Sequence, residues 1–248
     1  KQLDRYFDIE KYTSLMETLS SSIIERFGID LIYGIPGQTE EDFYNDINLA
    51  LGHGVNHLSA YSLTVEKGTK YSRNIKDKLS STPDEELQIR ILENLPEFLL
   101  SKGLNQYEVS NYSFAGMESR HNRKYWTMEY YLALGPGAHG FLPQGRYFNS
   151  RSIESYLSGK FGEKYEDGFS LEEFALCIFR NFSPIDMESF FKGLNFSLEG
   201  YYELFEKWKR EGLCYWDGKI FKWNNKVILN LDNLIFEFVN FKSYLQTN

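Results

Sequence analysis

Cysteine is scarce in this chain. The 248 residues include two, Cys177 and Cys214, far apart and outside any CxxC spacing. Neither a disulfide framework nor a zinc site is expected, and a reducing, cytoplasmic setting fits best. Long apolar runs are also missing. No stretch reaches the roughly 18 consecutive apolar residues of a spanning helix, so an integral membrane protein is excluded and only peripheral contact with a membrane stays open. Basic charge is in short supply, with 27 Lys and Arg against 35 Asp and Glu and a formal net charge of −8. Neutralising phosphates needs a field of Lys and Arg, so nucleic acid is not an expected partner. The first residue is Lys1 and not Met, and nothing like the three regions of a signal peptide follows. A fragment or processed chain is the expectation.

What is present is ordinary for a globular protein, with 42% hydrophobic and 25% charged residues. The aromatic share of 17% reads first as core filling and half-buried surface. Ile9, Tyr12, Leu15, Met16 and Leu19 recur at three- and four-residue spacing, predicting an amphipathic helix to about Ser21. FGIDLIYG, Phe27 to Gly34, reads as a buried parallel strand ended by Gly34, Pro36 and Gly37. Thr39 with Glu40, Glu41 and Asp42 then opens a helix to about Gly52.

A second strand is predicted at Asn56 to Val65, then a loop from Glu66 to Thr82, a helix from Pro83 to Lys102 stopped by Gly103, and a third strand at Gln106 to Ser110. Alternation of this kind implies parallel βαβ units, and three strands are too few to close a barrel or cover a sheet. The missing strands are expected upstream of Lys1, and an open parallel edge predicts self-association or low thermal stability. Farther on come a Gly-rich stretch, a short strand GRYFNS and a helix near Ile153 to Leu157. Beyond about Ser170 three helical segments lead to the β-like pair CYW and KIFKW around Asp217-Gly218.

Four blocks could carry chemistry. DLIYGIPGQTEEDF, Asp30 to Phe43, sits at a strand-to-helix turn, on the face where barrel and doubly wound enzymes build their sites. Asp30 offers a carboxylate to hydroxyl or amino groups, although an Asp on a strand is as readily satisfied by a neighbour. HLSAYSLTVEKGT, His57 to Thr69, alternates Ser62, Thr64 and Glu66 to one side of its strand, toward either a polar interior or solvent. YEVSNYSFAGMESRHNRKYW, Tyr107 to Trp126, gathers Glu108, Ser110, Asn111, His121 and Asn122 in a loop behind a strand, where rigid scaffolds commonly carry chemistry. His121, Asn122, Tyr125 and Trp126 combine one potential axial ligand, one amide and two aromatic planes, a set that would suit a flat macrocycle; a lone His beside aromatics is also a common structural residue. LGPGAHGF, Leu134 to Phe141, could cradle an anion with its backbone N–H groups or simply pack a tight turn. It matches neither a P-loop nor GxGxxG.

In order and spacing, these blocks resemble the oxygen-independent coproporphyrinogen III oxidase family of radical S-adenosylmethionine (SAM) proteins, over nearly the whole chain. The HNxxYW block, His121 to Trp126, leans toward that family's haem-chaperone branch. The resemblance implies an α/β fold. Residues 1–150 would be the second half of a partial TIM-like (βα) radical SAM barrel, 151–169 a connecting segment and 170–248 a small winged-helix-like α+β domain. The family's CxxxCxxC for a [4Fe-4S] cluster is absent, as is the Thr-x-x-Gly ending expected of the last domain, where WNNKVILNLDN stands instead.

Further implications concern cofactor and cargo. Arg5, Asp30, Ile32 and Gly34 match family positions that contact SAM, whereas His121, Asn122, Tyr125 and Trp126 would contact haem, with His121 as the iron ligand. The expected function is haem binding and transfer to recipient haemoproteins. The expected alternatives are oxidative decarboxylation of coproporphyrinogen III to protoporphyrinogen IX by the full-length protein, or a non-catalytic interaction module. Without cluster cysteines the chain alone is expected not to cleave SAM.

Overall fold

The computed structural model describes residues 8–159, 163–164, 170–193 and 197–245. The chain divides into two compact units, Lys1–Glu118 and Ser119–Asn248.

The first unit begins with α1 (Ile9–Ser20), capped by the Asp8 carboxylate, which accepts from the N–H groups of Glu10 and Lys11. Strand β1 (Gly28–Tyr33) leads through the Gly-Pro turn to α2 (Glu40–Gly52), whose capping box pairs Thr39 with Asp42 as its sequence predicts. Strand β2 (His57–Ser62) runs parallel to β1, with Asp30 beside Ser59. The stretch expected to be all loop holds a seven-residue helix, α3 (Lys70–Lys76). It is held by the Thr69 cap and by buried Tyr71, whose hydroxyl donates to the Ser81 carbonyl 2.9 Å away. A segment this short shows too little periodicity to be read from sequence.

Helix α4 (Glu85–Ser101), predicted from Pro83 to Lys102, starts two residues later behind an Asp84 cap and stops before Gly103, the predicted stop. The third strand departs from expectation. Asn105–Gln106 (β3) and Asn111–Ser113 (β4) form a hairpin, and β4 runs antiparallel to β2, giving the order β1-β2-β4-β3. Four of the five residues expected to form that strand, Tyr107 to Ser110, make the turn, because the Glu108 carboxylate accepts from the Ser110 N–H at 3.1 Å and from the Asn111 amide. Polar side-chain capping here outcompetes the β preference of Tyr and Val. Among the described residues β1 pairs with β2 alone. The helices cover one sheet face, where Phe43 and Ile47 of α2 and Ile91, Leu95 and Leu99 of α4 pack with Leu58 of β2. Each is 0–1% exposed, and burying such a side chain contributes about 1.5–3 kcal/mol.

The second unit opens with α5 (Arg120–Trp126), followed by the hairpin β5 (His139–Leu142) and β6 (Gly145–Phe148), the short α6 (Ile153–Leu157) and β7 (Glu163–Lys164), which pairs with β6. Then come α7 (Leu171–Ile178), β8 (Ile185–Asp186), α8 (Met187–Gly193), a 3-10 turn at Glu199–Tyr201, α9 (Tyr202–Arg210), β9 (Cys214–Trp216), β10 (Ile220–Trp223) and α10 (Leu231–Leu245). CYW and KIFKW are paired antiparallel as expected, in a three-stranded sheet of order β8-β10-β9. Its core is a nest of rings. Phe179 lies 4.8–5.7 Å, centroid to centroid, from Trp208, Phe221, Trp223 and Phe238, and Trp208 donates its indole N–H to Glu237 at 2.9 Å.

Candidate functional site

Strand alternation gives the first unit's sheet two unlike faces. Leu31 and Tyr33 turn toward the helices, leaving Asp30 and Ile32 on the opposite, polar face. There Ser59 donates to the Asn111 side-chain oxygen at 2.7 Å, and the Asn111 amide donates to Glu108, a carboxylate only 2% exposed. His57 shares a 2.7 Å hydrogen bond with the Tyr107 hydroxyl. Burial pushes the His57 imidazole below its ordinary range, and nearby Asp30 opposes that shift.

Asp30 itself is exposed and Ile32 half-buried. Gly34 ends the strand with φ +79°, and a Cβ there would meet the Gln88 side chain at 2.3 Å, so glycine is required by backbone and packing alike. The Gln38 side-chain oxygen takes the N–H groups of Gly34 (3.0 Å) and Ile35 (3.3 Å), closing the turn on itself. Of the four residues matched to SAM contacts, Asp30 and Ile32 thus stand on β1 and Gly34 directly follows it; Arg5 lies outside the described residues. The expected row of Ser62, Thr64 and Glu66 is not a strand face, because β2 stops at Ser62. The polar partners sit earlier, at His57 and Ser59.

In the second unit the HNxxYW block, expected in a loop, lies instead on a single helix, which the Ser119 cap starts. Ser119 caps α5 by accepting from the Asn122 N–H at 3.2 Å. Positions four apart share a face, so His121 stands over Tyr125 and Asn122 over Trp126. The exposed His121 ring meets the Tyr125 hydroxyl through Nε2 at 2.6 Å. Tyr125 in turn packs edge-on to Tyr131 at 4.7 Å, and Tyr131 exchanges two 2.9 Å backbone hydrogen bonds with Phe141. After the helix Met128 takes the left-handed backbone, φ +56°, while the Glu129 N–H bonds back to the Lys124 carbonyl at 3.0 Å. This reversal usually falls to glycine.

Beside these residues lies a cavity of about 460 Å³, within the roughly 300–1,000 Å³ of small-molecule sites. Tyr125, Trp126, Tyr131 and Phe141 form its aromatic side. Lys124, Arg146 and Arg180 supply positive charge, with Glu173 and Cys177 between them. Arg146 reaches Glu173 at 3.7 Å and the Cys177 sulfur at 3.6 Å. Burial pushes the Cys177 thiol up, and Arg146 pulls it partly back. The Trp126 indole N–H is shielded from solvent and has no hydrogen-bond partner among the described residues. Of the wall, the sequence motif indicates Tyr125 and Trp126. Arg146, Cys177 and Arg180 have no local signature, being brought in from β6, α7 and just beyond α7.

The Gly-rich stretch is a packed turn. Gly135 donates to the Tyr156 hydroxyl at 3.1 Å and Gly137 to the Ser150 carbonyl at 3.0 Å, so neither N–H is offered to an anion. A Cβ on Gly140 would lie 2.4 Å from the Tyr147 ring. An iron–sulfur cluster does not fit these residues. Cys177 and Cys214 are the two cysteines of the chain, Cys214 is buried with its thiol pushed up to about 12 by desolvation, and no group of three or more His, Cys, Asp or Glu could hold a metal among the described residues.

No family model matches this chain. Proteins named heme chaperone HemW from Bacillus subtilis and Lactococcus lactis subsp. lactis are each 36% identical to it, over 54% and 63% of the chain and 35% and 41% of their own lengths. The HemW of Buchnera aphidicola subsp. Acyrthosiphon pisum is 30% identical over 71% of the chain and 48% of that protein. The matches therefore span less than half of these relatives. Among solved structures, the Escherichia coli coproporphyrinogen III oxidase HemN, described as a radical SAM enzyme, superposes with a TM-score of 0.72 at 17% identity, covering 97% of this chain and 61% of that one. In sequence the chain is thus similar to the HemW heme chaperones, and in fold to a radical SAM coproporphyrinogen III oxidase.

Proposed function

We propose that this chain belongs to a radical SAM protein that binds haem and transfers it to recipient haemoproteins in a reducing, cytoplasmic compartment. The observation that carries the reading is helix α5, whose Tyr125 and Trp126 line an aromatic, cationic cavity and whose exposed His121, outside the cavity lining, bonds to the Tyr125 hydroxyl. Imidazole is a strong iron ligand, and flat aromatic walls favour a macrocycle. The names of the relatives support the same cargo. In this reading residues 1–150 form the second half of a partial TIM-like barrel, 151–169 connect, and 170–248 make a winged-helix-like domain, consistent with helices α7 to α9 followed by the β9–β10 hairpin.

SAM would lie along β1. Asp30 offers an exposed carboxylate to hydroxyl or amino groups, Ile32 an apolar contact and Gly34 a close backbone approach, with Arg5 to pair the SAM carboxylate. SAM bound to a reduced cluster supplies radical chemistry, but this chain's two cysteines do not fit a CxxxCxxC cluster. Its own residues bind and orient. Among the described residues no helix is long and apolar enough to cross a membrane. Coproporphyrinogen decarboxylation finds support only in a fold likeness at 17% identity, which carries no activity.

An anaerobic haem titration followed by visible absorption tests the proposal, with His121→Ala run in parallel. Saturation near one haem per chain, with the spectrum shifted or lost in the variant, is expected. Absence of saturable binding would sink the haem reading.

A further inference from the structure

The cavity beside α5 has a charge out of keeping with the rest of the molecule. The chain carries a formal net charge of −8, yet the cavity wall carries the three cations Lys124, Arg146 and Arg180 against the single carboxylate Glu173. The cations are 39–40% exposed, and their acidic neighbours Glu129, Glu173 and Asp232 stand 3.5–3.9 Å away. Ion pairs this open and this long bind weakly and exchange readily. A guanidinium is built to take a carboxylate through two parallel hydrogen bonds. The same cavity is lined by Tyr125, Trp126, Tyr131 and Phe141, and the Trp126 indole N–H is shielded from solvent with no partner among the described residues. A buried donor left unmatched is destabilising, so the wall favours a ligand bearing an acceptor.

We propose that this cavity seats the acidic side chains of a cyclic tetrapyrrole, with Arg146 and Arg180, helped by Lys124, binding its carboxylates while Tyr125 and Trp126 bound its ring. The proposal rests on the haem reading above and extends the site from the helix α5 to residues of β6 and α7. It gives the cargo an orientation: the ring sits over the helix face that carries His121, and the acid edge points toward Arg180. It also separates two contributions to affinity, metal ligation at His121 and charge pairing in the cavity. A tetrapyrrole without iron uses only the second.

The test compares metal-free protoporphyrin IX with its dimethyl ester, in the same detergent, using quenching of tryptophan fluorescence. Removing one charged hydrogen-bonding partner changes affinity about tenfold or more. Wild-type chain is expected to bind the free acid at least about tenfold tighter than the ester, and Arg146→Gln and Arg180→Gln to lose that margin while leaving ester binding unchanged. Glu173→Gln guards against a variant that fails to fold, because removing a competing carboxylate should tighten the free acid alone. Equal binding of acid and ester by the wild type, or a free-acid affinity indifferent to all three substitutions, overturns the proposal. If haem still binds and responds to His121→Ala, the haem reading survives that result; if neither haem nor porphyrin binds, both fall.

Discussion

The two units bury different chemistry, and the contrast shows where a ligand can act. All four tryptophans, Trp126, Trp208, Trp216 and Trp223, belong to the second unit. The first packs mainly aliphatic side chains of α2 and α4 against one sheet face. On the other face its buried polar groups bond to one another, from Ser59 through Asn111 to Glu108, and the Gln106 side-chain oxygen is the first unit's one buried side-chain polar atom without a partner among the described residues. The second unit, filled with rings, leaves the indole N–H of Trp126 and of Trp216 and the Tyr201 hydroxyl buried without partners among the described residues. Large rings fill volume well but bring single polar atoms that are hard to match. Of the three, Trp126 lies on a cavity, and there an unmatched donor is an invitation to a ligand.

That contrast can be broken experimentally, because tryptophan fluorescence reports on the second unit alone. Phe179→Ala removes a ring touching Trp208, Phe221, Trp223 and Phe238, and should cost roughly 3–5 kcal/mol. The urea midpoint read by fluorescence checks it; an unmoved midpoint would deny the shared aromatic core. Next in size, Asn111→Leu strips buried Glu108 and Ser59 of their common partner, for an expected loss of about 2–3 kcal/mol. Circular dichroism should show the drop, and a neutral outcome would mean that the polar network contributes nothing.

A smaller effect should appear in the pH dependence. The folded His57 imidazole is held below its ordinary value by burial, so the unfolded chain takes up a proton first as pH falls. Its stabilisation is complete above the unfolded value of 6.5 and is lost as pH drops through the lower folded value. Stability measured from neutral pH downward should show this loss in wild type and not in His57→Gln; identical curves would contradict it. Smallest of all, Met128→Gly relieves a left-handed backbone worth about 1 kcal/mol but loosens the unfolded chain by roughly half that, for a net gain near 0.5 kcal/mol. A rise in melting temperature is the expected sign, and a fall would show that the Met128 side chain matters more than its backbone.

Much of the frame was legible locally. Helices α1, α2 and α4, strands β1 and β2, and the hairpin β9–β10 follow from hydrophobic spacing, the Thr39 cap and Gly-containing stops. The antiparallel return of β4 was not, because Glu108 forms its turn by bonding to Ser110 and Asn111, a side-chain choice that periodicity does not express. Helix α3 escaped for want of length. The candidate site divides the same way. His121, Asn122, Tyr125 and Trp126 could be picked out by residue type, but the block reads as a loop, and the shared face comes from helix α5.

The sequence by itself determined the rows of side chains within single elements, since 3.6- and 2-residue periods are local properties of the backbone. That reaches the Asp30–Ile32 row of β1, whereas the HNxxYW block, which reads as a loop, takes its shared face from helix α5. Only the tertiary structure decided which distant charges meet those rows. Arg146 and Arg180 join Tyr125 and Trp126 around one cavity because β6 and α7 pack where the aromatic volumes fit, and the free energy of that packing depends on every contact at once.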